Sequence, residues 1–172
     1  YGGSCSSSTT SATTGDNTIT LVSLSDGTYS NCTITVTDSL GNASSALSVR
    51  TFVIDTTATA NFTAATDNEG TVTGVLTSGD TTDDTALVLS GTNESGSSVM
   101  VYNGSTELGA ATVSGTSWSY SATLVNGTTY QFNVKETDLA GNTSAATSYF
   151  TVTGDTTAPA VNFTAATDDV GT

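Results

Sequence analysis

A seven-residue string, NFTAATD, occurs at residues 61–67 and again at 162–168, and both copies run on into a short acidic stretch that closes on Gly-Thr. Two further echoes keep nearly the same spacing. DTTA at 55–58 returns at 155–158, and TDSLGN at 37–42 returns as TDLAGN at 137–142. Repeats of roughly 20 to 50 residues build solenoids and propellers. A period of about 100 residues is instead the size of a domain that folds by itself. The chain is therefore expected to be a window on an array of domains strung in series.

Composition narrows what such a domain can be. Only 35% of the residues are hydrophobic, so each core must be thin. Two basic residues stand against sixteen acids, and the net charge of −14 with no histidine repels phosphate and anionic membrane surfaces. The apolar runs are far shorter than the roughly 20 residues that span a bilayer, and no charged segment precedes an apolar one as in a signal peptide. Acidic chains poor in aromatics are often disordered. Here Val, Ile, Thr, Tyr and Phe recur in alternation, the period of half-buried strands, so the expected fold is all-β.

The complete repeat is expected over residues 57–157, as a sandwich of short antiparallel strands separated by turn residues. Strands are predicted at about 60–65, 71–76, 85–91, 98–102, 105–108, 110–113, 116–123, 129–137 and 144–153, the last two joined by a hairpin at 138–142. Along 129–137, Tyr130, Phe132 and Val134 alternate with Gln131, Asn133 and Lys135, which places the odd-numbered residues toward water. Tyr130 follows Asn126 and Gly127, where an immunoglobulin-like sandwich carries its corner tyrosine. Residues 1–56 read as the second half of another such repeat, with strands near 17–22, 29–37 and 45–54. Residues 158–172 read as the start of the next. The only cysteines are Cys5 and Cys32, and Cys32 aligns with Phe132, an inward strand position. A disulfide between them would replace an aromatic in a weak core and implies an oxidising, exported setting, the alternative being two buried thiols.

The string GTTY at 127–130, the hairpin TDLAGNTS at 137–144 and the linker DTTAP at 155–159 resemble the tandem bacterial immunoglobulin-like repeats of giant surface adhesins. These include the type I secreted, biofilm-forming and ice-binding adhesins of Gram-negative bacteria. The resemblance implies a long stalk of tandem immunoglobulin-like β-sandwiches, in which each repeat packs against its neighbours in the chain and Ca2+ at the junctions stiffens the array. It also implies a secreted, cell-surface location, with the adhesive ligand held by domains outside this segment. The first linker departs from the pattern, with Thr59 where the second has Pro159.

Calcium takes six to eight oxygen ligands, largely carboxylates and carbonyls, so several acids must share a pocket. Strand order groups the acids at the two ends of the complete repeat. One junction draws on Asp26, Asp55, Glu94 and Asp138, with Glu136 on the same strand face joining it or sitting at its edge. The other draws on Asp67, Asp83, Asp84 and Asp155. Asp38 on one side, and Asp168 with Asp169 on the other, belong to the next sites out. Against this stands the ability of Asp and Asn to hydrogen-bond their own backbone in turns.

Other chemistries find little support. Without histidine a serine nucleophile lacks its usual base. A lysine–asparagine crosslink needs an inward lysine, and Lys135 is outward by parity. Threonines such as those of 33–37 lie on one strand per repeat and form no flat array. The leading reading is thus a structural spacer. Two alternatives are a sugar- or protein-binding module using the loop 93–98 with Tyr102 and an exposed Trp118, and a subunit of an extracellular filament.

Overall fold

The computed structural model describes residues 1–168, 170 and 171. The chain is all-β and divides into two compact units, Tyr1–Thr57 and Ala58–Thr172. No helix among the described residues is long and apolar enough to cross a membrane.

The first unit holds four short strands: β1 (Gly27–Tyr29), β2 (Thr33–Ile34), β3 (Leu47–Ser48) and β4 (Phe52–Ile54). β1 pairs antiparallel with β4, and β2 with β3. These ladders are shorter than the alternation implies, and residues 17–22 contribute one isolated bridge, Leu21 to Ser7. The reason is lack of cover. Val36, Leu47 and Val53 remain exposed, so no second layer rewards extension of the strands. What the unit buries is its disulfide, Cys5–Cys32, while Tyr29 and Phe52 stack their rings across the β1–β4 pair.

The second unit is a sandwich of two five-stranded sheets. Its strands are β5 (Asn61–Asp67), β6 (Gly74–Val75), β7 (Thr81–Thr82), β8 (Ala86–Thr92), β9 (Ser98–Asn103), β10 (Thr106–Ala110), β11 (Thr112–Ser114), β12 (Ser117–Thr123), β13 (Thr129–Thr137) and β14 (Phe150–Gly154). One sheet has the order β10-β9-β13-β14-β7 and the other β11-β12-β8-β5-β6. All pairs are antiparallel except β14 with β7. Alternation along each strand sends Leu87 and Leu89, Val99 and Val101, Trp118 and Ala122, Phe132 and Val134, and Val152 into one core. Trp118 donates its indole N–H to the Asn61 carbonyl at 3.0 Å and lies over Gly91, where any side chain would strike both. The corner tyrosine forms: the Tyr130 hydroxyl accepts the Val125 amide N–H at 3.0 Å.

Four details depart from the sequence expectations. First, Asn133 is buried rather than water-facing, because the β9–β10 turn covers it and its side-chain amide donates to the Gly104 carbonyl at 2.8 Å. Second, β7 is a two-residue strand in a stretch of small polar residues with no alternation to announce it. Third, the last strand begins at Phe150 rather than at 144. Ser144 and Thr147 use their hydroxyls to accept the amides of Glu136 and Val134, at 2.9 and 3.1 Å, and the register slips between them. Side-chain acceptors of this kind compete with a ladder. Fourth, no strand forms among the described residues of 158–172, since no neighbouring strand pairs with them.

Because a loop of 27 residues separates the cysteines, loop-closure entropy gives the disulfide a stabilising contribution of about 3.5 kcal/mol. Mild reduction is expected to unfold the first unit. The sandwich should keep its melting transition, read through Trp118, the only tryptophan. A melt of Trp118 that shifts on reduction contradicts this.

Candidate metal centre

The hairpin that leaves β13 is organised by one carboxylate. Asp138 Oδ1 accepts the Asn142 amide at 2.8 Å and Oδ2 accepts the Asn142 side-chain amide, also at 2.8 Å, while the Asp138 N–H donates to the Asn142 carbonyl at 3.0 Å. The Asn142 side-chain hydrogen bond is the main reason the Asp138 carboxyl titrates below the ordinary aspartate value. Desolvation opposes it, and the backbone amides of the turn add to it. The repeated hairpin at Asp38 has the same construction and the same downward shift, again led by its asparagine, Asn42.

At the same end of the sandwich, the turn after β8 is set by Asn93. Its side chain is buried and donates to the carbonyls of Glu94 and Gly115 and to the Ser97 hydroxyl. Glu94 then meets the strand that carries Asp138: its amide donates to Glu136 Oε1 at 2.9 Å. Carboxylate oxygens of Glu94 and Asp138 lie within 4.8 Å of one another. Glu136 occupies an inward position of β13, is 0% exposed, and its second oxygen, Oε2, is buried with no hydrogen-bond partner. An unpartnered buried carboxylate oxygen is costly. Pairing with a cation would offset that cost. The adjacent Lys135 is turned instead over the Tyr102 ring, 5.5 Å from its centroid.

The acids at the opposite end behave differently. Asp67 accepts the Thr82 hydroxyl at 2.6 Å and the Glu69 amide at 3.0 Å, and Asp84 accepts the amides of Asn68 and Ala86 at 3.1 and 2.7 Å. Asp83 is exposed beside Gly70, and Asp155 caps the linker by accepting the Thr157 amide at 3.0 Å. These four form no group of three carboxylates within 4.8 Å of one another among the described residues. Turn chemistry already satisfies the buried pair. In the first unit, Asp26 accepts the Thr56 hydroxyl at 2.8 Å and Asp55 accepts the Thr57 amide at 3.3 Å. Asp168 accepts the Val170 amide at 2.9 Å, and Asp169 lies outside the described residues.

Sequence reading named Glu94 and Asp138 and set Glu136 either with them or at their edge. The signal for promoting it was parity, since a glutamate on the inward phase of Tyr130, Phe132 and Val134 has no apolar reason to be there. Trp118, by contrast, is 2% exposed, which removes the aromatic that a ligand-binding face would need.

The sequence profile of the bacterial Ig-like domain matches residues 59–156, from the linker ahead of β5 to the end of β14. The chain belongs to the bacterial Ig-like domain family. No curated protein and no solved structure matches it. In this Ig-like repeat, the acids of the Glu94–Asp138 end and the hairpin asparagine are the groups whose arrangement exceeds what the sandwich itself requires.

The lowered titration of Asp138 has a consequence for acid stability. Its contribution is fully present above the ordinary aspartate range and is lost as pH falls through the lowered value. Carboxyl NMR titration should therefore place Asp138 lower than in Asn142→Ala. The variant should also lose less stability between neutral and acid pH. Identical Asp138 titrations in the two proteins contradict the assignment to Asn142.

Proposed function

We propose that this chain is a stretch of the extracellular stalk of a large bacterial cell-surface adhesin, and that Ca2+ bound at the Glu94–Asp138 end of each repeat stiffens the stalk. The observation that carries this reading is Glu136: a buried carboxylate with one oxygen unpartnered and the other tied to the amide of Glu94, whose own carboxylate lies within 4.8 Å of that of Asp138. Glu94, Asp138 and Glu136 would hold the ion from one repeat. Main-chain carbonyls and water would supply further oxygens toward the six to eight that calcium takes. When bound, the ion supplies the positive charge that lets three carboxylates share one end of a sandwich.

The rest of the chain suits a spacer. High negative charge and polar outer strand faces keep parallel rods from adhering to one another. The disulfide of the first unit suits an oxidising, exported setting. Without histidine a serine nucleophile lacks its usual base, and the burial of Trp118 weakens the ligand-binding alternative. The pair Asp67 and Asp84, already served by turn donors, supports a second ion less well than the Glu94 end does.

Extracellular modules bind calcium with dissociation constants on the order of 10⁻⁴ to 10⁻³ M. At ten times that concentration the ion should stabilise the sandwich by about 1.4 kcal/mol. A calcium titration followed by thermal melting is expected to raise the transition, with magnesium doing so less. Glu136→Gln should be more stable than the parent in chelator and should lose most of the calcium response. Equal responses to calcium in parent and variant contradict the site, whereas an unchanged maximum dimension of a multi-repeat chain with and without calcium, by small-angle scattering, contradicts only the stiffening.

A further inference from the structure

Three hydrogen bonds hold the corner turn at Asn126 and Gly127, and all three end on one short segment at and just past the end of β14. Asn126 Oδ1 accepts the Thr156 amide N–H and Asn126 Nδ2 donates to the Thr157 hydroxyl oxygen, both at 2.8 Å. The Gly127 N–H donates to the Gly154 carbonyl at 2.7 Å. The segment comes this close because Gly154 has no side chain: a Cβ there would stand 3.0 Å from the Val125 carbonyl oxygen. The first unit repeats the clasp with an acid. Asp26 and Gly27 stand where the repeat has Asn126 and Gly127, and Asp26 accepts the hydroxyl of the linker residue Thr56 at 2.8 Å.

Asparagine before glycine is the pair in which the next backbone nitrogen most readily attacks the side-chain carbonyl carbon, because glycine puts no Cβ in the way. The Gly127 nitrogen would give up its proton and bond to Asn126 Cγ, and the Cγ–Nδ2 bond would break with loss of ammonia. Water then opens the cyclic imide to aspartate or isoaspartate. Here the attacking nitrogen, the carboxamide oxygen and the leaving nitrogen are all held by residues 154–157. The other Asn-Gly pair of the chain, Asn103 and Gly104, has a different guard. Asn103 Oδ1 accepts the Gln131 amide and the Gly104 N–H donates to the Gln131 carbonyl, both at 2.8 Å. Gln131 lies within β13, between two paired strands, so this pair opens only with the sandwich. Asn126 needs only the end of β14 to fray, a far smaller opening.

We propose that Asn126 is a deamidation site kept shut by its own linker, so that drawing residues 154–157 off the corner turn lets the repeat be marked covalently. Conversion to isoaspartate adds a methylene to the main chain and removes the Nδ2 donor, and the clasp does not re-form. Conversion to aspartate keeps part of it, since Asp26 still accepts from a linker threonine. A repeat loosened once at this point thereafter carries a longer free linker. This inference is independent of calcium.

The test follows Asn126 and Asn103 side by side, by peptide mass spectrometry of the folded protein over time and of the same chain in urea. Thr156→Pro/Thr157→Val takes the amide donor and the hydroxyl out of the clasp and leaves the turn itself unchanged. In this variant Asn126 should convert roughly tenfold faster than in the parent, as for a local opening that has lost two hydrogen bonds. Asn103 should stay slow in both, which also reports a folded sandwich. Thr157→Val alone leaves the main chain untouched and should give a smaller rise in the same direction, so the comparison survives a sandwich loosened by proline. Once Asn126 is isoaspartate, the Thr156 amide should exchange with solvent faster than in the parent. Equal Asn126 rates in the parent and both variants overturn the proposal, as does a folded parent that converts at Asn126 as fast as in urea. A Thr156 amide that stays protected in the converted protein overturns the marking.

Discussion

The organising constraint in this molecule is a carboxyl group where a hydrocarbon belongs. β13 runs through the middle of one sheet and sends Phe132 and Val134 into the core. Its next inward residue is Glu136, wholly enclosed, with one oxygen bound to the Glu94 amide and the other unpartnered. Burial of a lone carboxylate ordinarily ends in protonation or in pairing with a cation. The proposed divalent ion would account for that enclosure and for the nearness of Glu94 to Asp138 at the same end of the repeat. The turn after β8, fixed by the buried Asn93, and the hairpin after β13, fixed by Asp138 and Asn142, then read as the two walls that keep those oxygens in place.

The acids of this chain therefore divide into two kinds. Asp38, Asp67, Asp84 and Asp155 are occupied by amides and hydroxyls of their own turns, which is what short acidic side chains do wherever a β-rich chain must reverse. Glu136 has too long a side chain and too buried a place for that role. A count of carboxylates treats both ends of the sandwich alike, but among the described residues only Glu136 leaves a carboxylate oxygen both buried and unserved.

Much of the architecture was legible because its causes are local. Alternation in 86–92, 98–103, 117–123 and 129–137 is a direct imprint of two packed sheets, and the Asn126–Gly127 turn before Tyr130 placed the corner. The repeated hairpin strings at 37–42 and 137–142 do form the same structure, down to the asparagine that clasps its aspartate. What could not be read depends on partners distant in the chain. Asn133 is buried by a turn thirty residues earlier, β7 exists because β14 offers it an edge, and Ser144 and Thr147 break the ladder by offering hydroxyls in place of carbonyls. The acidic ends were half legible. Strand order brought Glu94 to Asp138, but that Asp67 and Asp84 are already satisfied depends on donors from Thr82, Glu69, Asn68 and Ala86 that no spacing reveals.

The most direct measurement is carboxyl-carbon NMR of the labelled protein across a calcium titration. The account predicts that the side-chain resonances of Glu94, Glu136 and Asp138 move together and saturate at one common concentration, while those of Asp67 and Asp84 stay still. Resonances of Glu136 that do not respond, or a response centred on Asp67 and Asp84, would contradict it.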